Sequence, residues 1–334
     1  YKFLKFLHGN TNQKARQVFI TSHSTNITAA VGLDQIICLH TLSDGKLNVG
    51  YPGRVFTDDE AGKSSKAYVQ RFLDATRSDM LFARNVILVE GIAEQLLLPT
   101  LARCNNKSLE DTHTTVINVG GRYFEHFLKL FDSSKPLTIH KKVACITDRD
   151  PTRKKIGTGD KAKKCYPFEF GQDATYEYAT HATALVTTHA THPNIRFFSE
   201  DSDYGKTLEY QLMFTNPGSS LLITESTINQ AELTVLFKAY TDGHDVAYVA
   251  ANDLMIKSEE NDRILSSLAG CNGAAWDEPA KIKSLLSARY LNSVGKGGNA
   301  LELADKLEKN LKADPALPFT VPDYLTNAIN WTCP

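Results

Sequence analysis

The sequence predicts an α/β fold, a mostly parallel sheet flanked by helices, followed by a mainly α-helical region. Short, largely apolar runs at Val86-Ile87-Leu88-Val89, Val116-Ile117-Asn118-Val119 and Val143-Ala144-Cys145-Ile146 alternate with helix-compatible segments. Runs of this length bounded by glycine or acid read as buried strands of a parallel sheet. Two of them break off into acid, at Glu90-Gly91 and at Asp148-Arg149-Asp150. From about residue 205 onward the apolar spacing becomes helical and is punctuated by Gly, Asn and Pro.

Taken in order, residues 17–24 (Gln-Val-Phe-Ile-Thr-Ser-His-Ser) read as a β-branched strand breaking into a polar turn. Residues 35–50 read as a hairpin around a Ser43-Asp44-Gly45-Lys46 turn. Residues 58–78 are polar and helix-compatible, with Tyr68, Phe72 and Leu73 as an apolar stripe. The 85–89 strand leads into a leucine-rich helix over 94–104, and the 116–119 strand ends in Gly120-Gly121, which permit a tight turn into a helix over 123–131. The third strand covers 143–147. Such a β-α-β-α-β order implies parallel strands. Residues 151–194 show no clean periodicity, being basic at first and then rich in Thr, Ala and His. A fourth strand is expected over 195–198, then helices over 206–214, 226–240, 257–269, 278–288, 299–311 and 321–331.

The bulk composition sets limits. A chain of 334 residues suggests two to three domains, and 42% hydrophobic residues suffice for a full core. Net charge is −1, so affinity for nucleic acid must come from a local patch. The six cysteines are scattered with no C-x-x-C pair, which argues against a zinc ribbon or a disulfide scaffold and points to a reducing cytoplasm. No apolar run reaches the length of a membrane span. The chain starts at Tyr1 without methionine or signal peptide and reads as a fragment of something longer.

Ligands of open α/β sheets sit beyond the carboxyl ends of the strands, so Glu90, Asp148 and Asp150 are expected to project from one rim. Carboxylates so placed repel one another unless cations neutralise them, and hard divalent cations prefer oxygen. Glu94, four residues after Glu90, shares its face near a helix N-terminus, and Thr147 is placed to orient a carboxylate or a metal-bound water. The plainer reading of Glu90 and Glu94 is acids favoured by the helix macrodipole. The basic run Arg153, Lys154, Lys155, Lys161, Lys163 and Lys164 follows directly. It could track a DNA backbone through counterion release, or be a solvated loop. His181, His189 and His192 lack a zinc-ligand spacing and are expected on the surface.

An apolar strand ending in Glu-Gly with an acid four residues on, then Gly-Gly, then a strand ending in Asp-x-Asp resembles a Toprim domain, the Rossmann-like catalytic module of topoisomerases, bacterial primases and certain nucleases. Ile20-Thr21-Ser22-His23-Ser24 is similar to the histidine switch loop that closes an ABC-type ATPase domain. That order resembles the OLD (overcoming lysogenization defect) family of nucleases, with roles in phage defence or DNA processing. Lys206-Thr207-Leu208-Glu209-Tyr210 resembles that family's helix supplying a further metal-binding carboxylate, and Val294-Gly295-Lys296-Gly297 its Lys-Gly segment. Taken singly, Glu209 would be an exposed helix acid and Lys296 a turn lysine; their order along the chain carries the likeness.

The resemblance implies an ATPase remnant over residues 1–78, a Toprim domain over 79–200 and a helical domain over 201–334. It implies metal-dependent DNA cleavage or nicking by two Mg²⁺ or Mn²⁺ ions about 4 Å apart. Glu90, Glu94, Asp148, Asp150 and Glu209 would hold the ions, Asp148 bridging, with Lys296 at the scissile phosphate. ATP control and self-association would need the ATPase domain that is missing here; no membrane partner is implied. One alternative is a phosphatase of the haloacid-dehalogenase type, since Asp148-Arg149-Asp150-Pro151-Thr152 fits Asp-x-Asp-x-Thr. That motif belongs on a first strand, and two strand–helix units precede it here. The other alternative is a non-catalytic DNA-binding module.

Overall fold

A computed structural model describes residues 2, 6, 17–42, 44–73, 77–200 and 203–333. Its strands are β1 (Cys38–Thr41), β2 (Leu47–Gly50), β3 (Asn85–Val89), β4 (Thr114–Asn118), β5 (Val143–Ile146), β6 (Thr152–Lys155), β7 (Lys163–Lys164), β8 (Tyr176–Ala179) and β9 (Ile195–Phe198). The chain is mixed α/β, with a parallel four-stranded sheet of order β4-β3-β5-β9 and a helical C-terminal part. It divides into two compact units that interleave along the sequence. The first comprises residues 1–89, 109–145 and 192–196, and the second 90–108, 146–191 and 197–334.

In the first unit β3 is buried along its whole length. Val86, Ile87, Leu88 and Val89 have no exposed surface, because the strand is covered on both faces. It pairs in parallel with β4, Val89 opposite Asn118, and Val86 N–H donates to the Lys142 carbonyl at 2.9 Å on its other side. Gly120 and Gly121 turn the chain after β4 with φ of +79° and +122°, a region open to glycine, and the helix Phe124–Leu128 follows. The hairpin β1–β2 is antiparallel, as expected, with Cys38 opposite Gly50. Asp59 caps the helix Glu60–Phe72 by accepting from Gly62 N–H at 2.7 Å.

Residues 17–24 do not form the expected strand. Among the described residues no strand pairs with them, and Val18, Phe19 and Ile20 are exposed. A β-branched run without a ladder partner has no hydrogen bonds to hold it extended.

The second unit holds the helices Ile92–Cys104, Leu208–Thr215, Gln230–Thr241, Glu259–Gly270, Glu278–Leu291, Lys296–Leu311 and Asp323–Thr332, close to the expected spans, together with Val246–Asn252, which the apolar spacing did not reveal. Ile92–Cys104 packs along Lys296–Leu311; Arg103 and Thr100 both reach Glu308 across that interface. The 151–194 segment, featureless by periodicity, carries a three-stranded antiparallel sheet of order β7-β6-β8 and the helix Ala182–Thr188. Its strands span two to four residues and bury neither face fully, so no apolar alternation marks them.

A buried ion pair ties three helices of this unit. Arg289 donates to Glu232 Oε2 at 2.6 Å and to Asn261 Oδ1 at 2.7 Å, with Arg289 4% and Glu232 2% exposed. Removing one partner leaves an uncompensated buried charge. Glu232→Ala is therefore expected to lower unfolding stability by about 3–5 kcal/mol in denaturant titration, while the exposed pair Lys309–Asp305 should contribute under ~1 kcal/mol.

Candidate metal centre

β3 delivers the first two acids. Glu90 follows its last residue, and Gly91 caps the helix Ile92–Cys104 in extended conformation. A Cβ at Gly91 would stand 3.0 Å from Glu94 Oε2, so a larger residue there would press that carboxylate aside. Glu94 lies in the first turn of the helix, where the macrodipole favours an anion, and is buried. Thr147, 1% exposed, donates its hydroxyl to Glu90 Oε1 and so fixes that carboxylate.

β5 delivers the next pair. Asp148 Oδ1 accepts the N–H of Leu208 at 3.1 Å. Leu208 opens the helix Leu208–Thr215, whose first N–H groups have no partner inside the helix. One helix start thus anchors Asp148 and, at the next position, places Glu209 beside it. Asp150 adopts a left-handed φ of +45°, its N–H donating to the Lys206 carbonyl at 3.0 Å. Lys164 Nζ lies 3.0 Å from Asp150 Oδ1. Lys206 is buried; it donates to the Cys165 carbonyl at 2.6 Å and lies over the Tyr166 ring at 4.8 Å. Burial holds its ammonium below the usual lysine range.

The acids share one low-dielectric environment. Burial first, then the charges of Glu200, Glu94, Glu209 and Glu90, push the Asp148 carboxyl well above the carboxylate range. Burial pushes Glu200 up to about 7, although its own N–H, the Asp148 carboxyl, the Arg149 N–H and the Ser199 hydroxyl oppose it. Tyr324 is raised in the same way, by burial and then by Glu200, Asp148, Glu94 and Glu209. Three predicted ligands, Glu90, Glu94 and Glu209, are therefore within electrostatic reach of a fourth, Asp148, and Asp150 pairs with Lys164. Among the described residues no three His, Cys, Asp or Glu side chains converge as a ready-made ligand shell. The donor chemistry nonetheless fits a hard divalent cation. The donors are carboxylate oxygens from separate segments, in a site where Glu200 Oε1, Thr207 Oγ1 and Tyr324 Oη are buried and unsatisfied.

The other predicted residues fall elsewhere. Lys296 opens the helix Lys296–Leu311, and its side chain lies outside the described residues. Lys154, Lys155, Lys161, Lys163 and Lys164 are exposed on or beside the β6–β7 ribbon. Arg153 turns inward, 3.4 Å from Glu169 and over the Tyr176 ring. The three histidines are half-buried rather than on the surface, and His192 bridges to Asp132 at 3.2 Å. Sequence reasoning missed Glu200 and Tyr324. Glu200 lies two residues past β9, so the strand-end rule that found Glu90 and Asp148 would also have reached it. Nothing local marks Tyr324.

A strand ending in Glu-Gly-x-x-Glu and a strand of the same parallel sheet ending in Asp-x-Asp define a Toprim domain. More narrowly, residues 81–150 match the family Overcoming lysogenization defect protein-like, TOPRIM domain, so the chain carries an OLD-like Toprim domain. Among solved structures, the chain is similar to the C-terminal region of the Burkholderia pseudomallei OLD protein at 19% identity, covering 75% of this chain and 97% of that one, with a TM-score of 0.38. The C-terminal region of the Xanthomonas campestris pv. campestris OLD protein is 22% identical over 75% of this chain and 93% of that one, with a TM-score of 0.37. No curated protein matches the chain.

The raised acids give a pH dependence of definite sign. Between the ordinary glutamate value of 4.5 and about 7, the unfolded chain loses the Glu200 proton while the folded chain keeps it. Stability must then fall as pH rises through that window. The melting temperature of the chain in EDTA is expected to drop between pH 5 and pH 7.5, and Mn²⁺ at pH 7.5 should restore it. A flat profile in EDTA would contradict the clustering of these acids.

Proposed function

We propose that this chain is the catalytic region of a metal-dependent DNA endonuclease that nicks or cleaves phosphodiesters with two Mg²⁺ or Mn²⁺ ions. The observation that supports it is the gathering of acids around Asp148: four further acids, from three other segments, raise its carboxyl in a buried site. Uncompensated, such a cluster destabilises the fold; a pair of divalent cations converts it into a favourable one. When bound, the ions would activate the attacking water and stabilise the leaving oxygen.

The chain's own residues supply position. Thr147 holds Glu90, and the N-terminus of Leu208–Thr215 holds Asp148 while presenting Glu209. Glu90, Glu94, Asp148, Asp150 and Glu209 are the proposed ligands, with Asp148 bridging. Lys164 must leave Asp150 for Asp150 to serve. Lys296 is proposed to offset charge on the scissile phosphate. ATP control and self-association are proposed to belong to an ATPase domain of which residues 1–78 would be the end.

The basic ribbon is the proposed DNA-binding element. Lys154, Lys155 and Lys163 lie on adjacent antiparallel strands, Arg153 pairing with Lys163 in register. A two-stranded ribbon presenting exposed ammonium groups suits a phosphate backbone.

Supercoiled plasmid incubated with Mg²⁺ or Mn²⁺ should be nicked or linearised, EDTA should stop the reaction, and Asp148→Ala should lower the rate at least ~100-fold, on the scale of losing one charge-stabilising group. Activity undiminished in Asp148→Ala would place the chemistry elsewhere. Replacing Lys154, Lys155 and Lys163 together by alanine should weaken duplex binding. It should also reduce the salt slope by about 0.9 for each phosphate that is no longer neutralised. An unchanged slope would remove the ribbon from the interface.

A further inference from the structure

Glu200 is the second residue after β9 and belongs to none of the motifs that mark the other acids. It is 6% exposed. Its Oε2 is anchored: the Arg149 N–H donates to it at 2.8 Å and the Ser199 hydroxyl at 3.1 Å. Arg149 is the middle residue of the Asp148-Arg149-Asp150 turn, so the carboxylate is tied to the backbone that carries two of the proposed ligands. Among the described residues its Oε1 is buried and no N–H or hydroxyl donates to it, although the Asp148 carboxyl lies within hydrogen-bonding reach of Glu200. A buried carboxylate oxygen without a donor is costly, and acids held only for structure normally have both oxygens satisfied. The remaining unsatisfied groups here, Thr207 Oγ1 and Tyr324 Oη, supply no bond to it either. The Asp148 carboxyl stands at the same backbone turn, one residue before the Arg149 N–H that anchors Oε2.

We propose that Glu200 is a further cation ligand of this centre, presenting Oε1 to the ion that Asp148 binds, an inference that rests on reading the acids as a metal centre. One oxygen fixed by the backbone and one left open is the arrangement of a preorganised ligand. The ligand set then draws on three strand ends, β3, β5 and β9, and on the helix that carries Glu209.

The test uses the whole chain, with Mn²⁺ as the probe and binding read from the free-ion electron paramagnetic resonance signal. Glu200→Gln keeps size and the anchoring acceptor but removes the charge. It is expected to weaken Mn²⁺ binding about tenfold or more. It should also raise the melting temperature in EDTA, because one repelling charge is gone, and shrink the rise produced by Mn²⁺. Glu200→Asp, which keeps the charge but shortens the reach, should weaken Mn²⁺ binding as well, and it serves if the glutamine variant does not fold. Native Mn²⁺ affinity in a folded Glu200 variant, with Asp148→Ala impaired, would overturn this proposal alone. A glutamine variant that melts lower in EDTA and binds Mn²⁺ normally would identify a structural acid and overturn it too. A native chain that binds no Mn²⁺ would overturn the metal reading and the present proposal with it.

Discussion

Like charges gathered out of water are the constraint on which the site depends. Glu90, Glu94, Glu200 and Glu209 are held where each raises the cost of ionising Asp148. In hydrocarbon-like surroundings carboxylates would simply take up protons. Folding tolerates the cluster because the segments carrying it are held by bonds that do not depend on the acids' charge state. The helix Ile92–Cys104 is fixed through Thr100 and Arg103 to Glu308 of Lys296–Leu311, and Lys206 is committed to the Cys165 carbonyl.

The same frame explains which residue types stand where. Gly91 needs no special backbone freedom, since its φ is extended at −137°, and a Cβ there would press on Glu94 Oε2. Thr147 is a β-branched residue that can both end a strand and donate one hydroxyl to Glu90. The left-handed turn at Asp150 ends the acidic run and directs the chain into the basic ribbon. Lysines exposed on that ribbon lie directly after the acids in sequence.

Much of this was legible in the sequence because it rests on short-range rules. The burial of Val86 to Val89 on both faces produces an unbroken apolar run, and the acid that ends it marks the strand end. The helices past residue 205 announce themselves by spacing and by caps such as Asp277 and Ser258. The failures are long-range in origin. Residues 17–24 have strand composition, but composition cannot supply a partner strand. The β6–β8 sheet is built from charged strands whose pairing leaves no apolar period. Glu200 was overlooked because no motif frames it, and Tyr324 because it reaches the acids only through the fold of the helix Asp323–Thr332.

The central claim is that the carboxylates form a site for paired divalent cations. It is tested most directly by anomalous diffraction from crystals of the chain soaked in Mn²⁺. Two manganese peaks about 4 Å apart, ligated by Glu90, Glu94, Asp148 and Glu209, are the result this account predicts. Crystals that diffract well after millimolar Mn²⁺, yet show no anomalous density at these carboxylates, would contradict it.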